Sequence, residues 1–215
     1  MPVMTSATLD KIHNLEENIR FVERQFNYTF KNKSLIKQAF YSGVQHTQYN
    51  GKNYAINNQG LEYVGDRVLY VAIAMTLSMS PRNLSSDGFY IGPACTELHK
   101  KCGSLTKNSQ LCTLMNSENL KFLKNLVIAP KMPSSNESKM WADIYESIIG
   151  AIALDCNFDM SIIIRSYLAS MIIIQHKGLF NYIKSKKELD IESNKIELVF
   201  NLWKNTNSCT NFQKV

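Results

Sequence analysis

The sequence predicts an all-α fold, and three observations carry that prediction. The apolar segments Leu61–Leu77 and Trp141–Asp155 are too long for typical strands. A third, SIIIRSYLASMIIIQ from Ser161 to Gln175, is rich in β-branched residues that suit a strand, but its length favours a helix. Near the N-terminus, Ile12, Leu15, Ile19, Phe21 and Val22 recur at helical spacing among charged residues.

Taken in order, Leu9–Phe26 is an amphipathic helix covering part of the core. A short connection leads to a second helix, with Ser34 as the candidate cap before Leu35, Ile36 and Phe40. Residues Ser42 to Asn58 read as a polar loop. The buried helix Leu61–Leu77 follows and is closed by Pro81, and Asp87-Gly88 marks a turn in the loop Arg82–Gly92. Helical sequence resumes from Thr96 to Met115. The two prolines and turn formers of Ala129–Ser138 then separate these elements from the second apolar block. A turn at Asn157–Asp159 precedes the last apolar helix. After Gly178 the chain turns polar and charged before an apolar patch at Ile196–Trp203. The expected organisation is a domain over residues 1–180 and a linker or helical tail over 181–215.

A chain of 215 residues, 45% hydrophobic and 10% aromatic, buries a sizeable core and is not wholly disordered. Its net charge of +6 favours phosphate backbones or anionic membranes without choosing between them. Five cysteines with no Cys-x-x-Cys pair argue for free thiols in a reducing compartment and against secretion. No run of about 18 apolar residues is present to span a bilayer, and the first residues are too polar for a signal peptide. An intracellular protein is expected, with nucleus and cytoplasm both open.

The chemistry lies in two acid pairs. Glu62 and Asp66, four apart, project from one face of a helix, and Asp143 and Glu146, three apart, do the same on another. From spacing alone such pairs also fit solvated helix faces. Their surroundings are rich in Val, Ile, Leu, Ala and Tyr, where an uncompensated carboxylate costs several kcal/mol, about the size of a lost ion-pair partner. Arg67 and Lys139 are the nearby cations in sequence, and neither is expected to face its neighbouring pair. A divalent ion is the better compensator, and carboxylates without His or Cys suit a hard cation, Mg²⁺ with Mn²⁺ as substitute. Such an ion supports phosphate-ester hydrolysis. Gly65 and Gly150 each cost about 1 kcal/mol in a helix relative to Ala, which points to close helix packing there.

At these residues the sequence resembles the ribonuclease III family. NQGLEYVGDRVL, from Asn58 to Leu69, is similar to the family signature N-E-x-L-E-F-L-G-D-S-V-L. WADIYESIIGAIALDCNF, from Trp141 to Phe158, is similar to its A-D-x-x-E-A-L-I-G-A-x-x-L-D-x-G block, and YTFKNKSLIKQAF from Tyr28 resembles its opening segment. The resemblance implies a helical endonuclease domain that dimerises, with Glu62, Asp66, Asp143 and Glu146 in the metal and catalytic positions. It further implies Mg²⁺-dependent cleavage of double-stranded RNA to 5′-phosphate and 3′-hydroxyl ends with two-nucleotide 3′ overhangs. A homodimer is expected, a heterodimer with a related subunit stays open, and no membrane partner is implied.

Two departures stand inside the signature: Gln59 replaces the first glutamate, and Arg67 follows the Gly-Asp where a small residue is usual. Gln59 and Asp87 are kept as supporting candidates, Asp87 because some family members place an acid there toward the partner's site. Lys184, Lys186 and Lys187 are candidate RNA contacts, although short basic runs also make solvated faces. The tail resembles the start of a double-stranded-RNA-binding domain or serves as a bracing helix. The competing function is a non-cutting ribonuclease III-like structural or ribosomal subunit. Cys95, His99 and Cys102 form a weaker zinc candidate that lacks a fourth ligand.

Overall fold

A computed structural model describes residues 6–43, 45–49, 52–78, 85–92, 94–117, 120–128 and 137–175. Most of these are helical, as the all-α expectation requires. The helices are α1 (Ser6–Gln25), α2 (Lys33–Ala39), α3 (Gln59–Ser78), α4 (Cys95–Leu105), α5 (Asn108–Met115), α6 (Glu137–Asp155) and α7 (Met160–Gln175). A 3₁₀ turn spans Lys121–Leu126. No helix among the described residues is long and apolar enough to cross a membrane.

The segment expected as a polar loop instead carries an antiparallel hairpin, β1 (Gln45–Tyr49) and β2 (Lys52–Ile56). Tyr49 pairs with Lys52, so two residues join the strands, and in sequence they are Asn50-Gly51. Asn-Gly is the strongest short-range hairpin signal, and it outweighs the polar composition that suggested a loop. One boundary also shifts. Asn32, not Ser34, is the cap of α2, its side chain accepting the Ser34 amide at 3.0 Å. The helical sequence expected from Thr96 to Met115 forms α4 and α5, which are separated at Thr106–Lys107.

Helix α6 is the axis of the molecule. Every residue from Met140 to Ala153 is buried except Asp143, and a helix apolar nearly all round belongs inside a core. The other helices present single stripes to the interior. On α1 the stripe is Leu15, Ile19 and Val22, continued by Phe26 just past the helix end, and on α3 it is Leu61, Gly65, Leu69, Ala72 and Ile73. On the α7 side, Tyr145 Oη and Ser170 Oγ lie 2.6 Å apart, which gives the fully buried phenol its hydrogen-bond partner.

Two carboxylates hold the connection between α1 and α2. Asp155, at the end of α6, accepts hydrogen bonds from Tyr28 Oη at 2.7 Å and from the amides of Lys31 and Asn32 at 2.7 and 2.8 Å. This clamp fastens the α1–α2 connection to α6. Buried Glu23 accepts the Phe30 amide at 2.7 Å and pairs with Lys33. The expected turn after α6 is present, with Asn157 and Phe158 both in the left-handed region at φ 56° and 59°. Cys102, Cys112 and Cys156 are buried and Cys95 exposed, all as free thiols. The expected tail and its lysines, Lys184, Lys186 and Lys187, lie outside the described residues.

Candidate functional site

The α3–α6 crossing makes the site. A Cβ at Gly65 would stand 1.8 Å from the carbonyl oxygen of Glu146, and one at Gly150 would stand 2.0 Å from that of Leu61. Any side chain at either position would therefore force the helices apart, so two glycines bring backbone against backbone. The close packing expected from the sequence is present at both. Buried Asn58 ties the same corner: its amide donates to the Tyr41 carbonyl at 2.9 Å, and its carbonyl accepts the Glu62 amide at 2.8 Å. That carbonyl also lies 3.4 Å from Ser147 Oγ, next to Glu146 on α6.

Because the crossing is so tight, carboxylates from both helices converge. Glu62, Asp143 and Glu146 each place one oxygen within 4.8 Å of the others. Glu62 and Asp143 are partly exposed, whereas Glu146 is only 5% exposed. Asp66, one turn along α3 from Glu62, lies outside that trio and has Arg67 Nη1 3.7 Å from its Oδ2. Its charge is still felt at Glu146. Burial first, and then the charges of Asp66, Asp143 and Glu62, push the Glu146 carboxyl up to about 8. Burial and the neighbouring acids Asp143 and Asp66 raise Glu62 in the same way, with Lys139 opposing them.

One residue corrects the sequence reading. Lys139 does face the acid pair: its Nζ donates to Asp143 Oδ1 and Oδ2 at 3.0 and 2.9 Å and lies 4.0 Å from Glu62 Oε1. The physical reason is that Lys139 precedes Asp143 by four residues, one turn of the same helix, because α6 starts at Glu137 rather than near Trp141. That spacing was the available signal. Arg67 likewise approaches Asp66, while its guanidinium lies 5.4 Å from the centre of the Tyr63 ring.

Of the supporting candidates, Gln59 is exposed at the start of α3, and its Oε1 accepts from Asn57 Nδ2 at 3.2 Å. Asp87 is exposed in a turn made with Gly88 at φ 84° and is not one of the converging acids. The zinc candidates Cys95, His99 and Cys102 do not converge as a metal group, and His99 Nδ1 is instead 2.8 Å from Tyr70 Oη.

The donor set fits a hard divalent cation: three convergent carboxylate oxygens, one from a buried acid, with no nitrogen or sulfur among them. Glu62, Asp143 and Glu146 are the residues that would hold it.

No protein-family model matches the chain. It is 28% identical over 165 residues to ribonuclease 3 of Roseburia hominis, covering 67% of this chain and 44% of that protein. It is 29% identical over 146 residues to ribonuclease 3 of Campylobacter jejuni, covering 67% and 58%. With ribonuclease 3-like protein 2 of Arabidopsis thaliana it shares 26% over 201 residues, covering 82% and 50%. The chain thus spans about half the length of the curated relatives it matches. Among solved structures, its fold matches a nuclease domain of ribonuclease III from Campylobacter jejuni, described for flexibility in a region involved in dimer formation. That match has a TM-score of 0.53 at 22% identity and covers 74% of this chain and 99% of the other.

Proposed function

We propose that this chain is a ribonuclease III-type, divalent-metal-dependent endonuclease that cuts double-stranded RNA. The observation that carries the reading is the convergence of Glu62, Asp143 and Glu146 where α3 and α6 touch at Gly65 and Gly150. In this reading Mg²⁺, with Mn²⁺ as substitute, is the ion held. When bound, it activates water and neutralises charge developing on the phosphodiester.

The chain's own residues supply the rest. Asp143 and Glu62, partly open to solvent, offer oxygens at the mouth of the site, and Glu146 offers one from its buried floor. Asp66 adds negative charge from one turn away, strengthening the pull on a cation. Fixed oxygens on two packed helices position the reacting groups without reorganising during the step. The duplex is read by its A-form shape and 2′-hydroxyls rather than by base sequence. Products with 5′-phosphate, 3′-hydroxyl and two-nucleotide 3′ overhangs follow if two such sites cut opposite strands.

Two such sites would come from a homodimer, with a heterodimer of related subunits as the alternative. The outward face of α3 supports dimerisation, with Tyr63 and Val71 exposed at 66% and 47%, as does the dimer-forming region described for the solved nuclease domain. We assign the nuclease to residues 1–180 and treat 181–215 as an appended tail, with Lys184, Lys186 and Lys187 as candidate phosphate contacts.

The test is incubation of the protein with a long RNA duplex in Mg²⁺, beside Ca²⁺, EDTA and Glu146→Gln controls. Discrete fragments with two-nucleotide overhangs, lost in every control, are expected. Duplex binding without cleavage would refute the enzyme and favour a non-cutting RNA-binding subunit.

A further inference from the structure

Among the described residues, three lysines and one arginine approach carboxylates on α3, α4 and α6; Lys124 reaches only Glu137 of α6, at 3.8 Å, and Lys139 alone bridges both helices of the acidic site. Lys139 Nζ sits between both oxygens of Asp143, at 2.9 and 3.0 Å, and Oε1 of Glu62 at 4.0 Å. By contrast, Lys101 pairs only with Glu97 of its own helix, and Arg67 only with the adjacent Asp66. The Lys139 side chain is 62% exposed, so its ammonium can swing into water without uncovering core.

We infer that Lys139 is a built-in counter-ion of the acidic site, competing with the divalent cation for Asp143 and Glu62 and displaced when that cation binds. The inference rests on the metal-site reading proposed above. A hard cation must take oxygens from the same two carboxylates that the ammonium engages. An ammonium held there would also stand next to the dication, where like charges repel. An ion pair this exposed changes an equilibrium by no more than about fivefold. The lysine is therefore weak enough for a metal to displace and strong enough for its removal to be measured. Its role would be to keep the clustered acids compensated before metal binds, at a modest loss of metal affinity.

The experiment measures Mn²⁺ binding to the full chain, without RNA, by calorimetry and by the electron paramagnetic resonance signal of free Mn²⁺. It compares the unmodified protein, Lys139→Met and Lys139→Arg, with circular dichroism to establish that each is folded. Lys139→Met should bind Mn²⁺ about two- to fivefold more tightly, and Lys139→Arg, which keeps the charge, should stay close to the unmodified protein. Tightening in both variants would place the effect in side-chain shape rather than charge and overturn the inference. Equal or weaker binding by Lys139→Met, with the unmodified protein binding normally, would overturn it while leaving the metal site standing. Absence of Mn²⁺ binding in all three would overturn the metal site and this inference together.

Discussion

Glu146 makes the proposed site measurable without any RNA. Its carboxyl is pushed up to about 8, chiefly by burial and then by the surrounding acids, from an ordinary 4.5. Between those two values the folded protein holds a proton that the unfolded chain has released. Stability is therefore fullest below 4.5 and falls as pH rises toward 8. At about 1.4 kcal/mol per pH unit, the penalty at pH 7 is about 3 kcal/mol. Glu146→Gln mimics the protonated acid in size and polarity, and its side chain does not titrate. In urea unfolding with divalent cations chelated, the variant should match the unmodified protein near pH 5. At pH 7 it should be the more stable by about 3 kcal/mol, a midpoint shift of about 1 to 2 M. Mg²⁺ should then stabilise the unmodified protein and leave the variant unchanged, because binding to the native state raises its stability. Parallel stability-versus-pH curves for the two proteins would refute the argument that Glu146 is a buried, acid-crowded carboxylate.

Three other perturbations test the frame around the site. Gly65→Ala places a methyl 1.8 Å from the Glu146 carbonyl oxygen, so it should cost about 3 kcal/mol and weaken Mn²⁺ binding; a midpoint within error of the unmodified protein's would show that the helices do not touch there. Asp155→Ala removes the acceptor for Tyr28, Lys31 and Asn32 and should cost about 2 to 4 kcal/mol at pH 7. Burial raises the Asp155 carboxyl, but hydrogen bonds from Tyr28, Asn32 and Lys31 outweigh it and hold the group below its usual range. Its contribution is thus present above the unfolded value and lost as pH falls through the lower folded one, so urea titrations should show the variant's deficit shrinking in acid. Phe158→Gly relieves a left-handed φ of 59° on a half-exposed aromatic and should raise stability by about 0.5 to 1 kcal/mol; a lower melting temperature would mean that the ring's contacts outweigh the strain.

Residue type and short-range spacing carried much of this in the sequence. The helical character of α3, α6 and α7 was legible from their length and apolar content, and the acid pairs were legible because three- and four-residue spacing defines one helix face. Gly65 and Gly150 announced a close approach because glycine inside a helix has a cost that packing must offset. The hairpin at Gln45–Ile56 was missed although Asn50-Gly51 marked it, since polar strand residues hid the period-two pattern. Lys139 was missed because the start of α6 was set too late, which hid a four-residue spacing open to anyone counting back from Asp143.

What local sequence could not supply is which faces meet. The sequence by itself determined two acid-bearing helices and two glycines able to touch. Only the tertiary structure decided that Glu62 of α3 joins Asp143 and Glu146 of α6 while Asp66 stands outside the trio. It also decided that Glu146 alone among these acids is buried, because burial and inter-helix distance depend on how α3 crosses α6, and residues about 80 positions apart in the chain set that crossing through contact rather than through propensity.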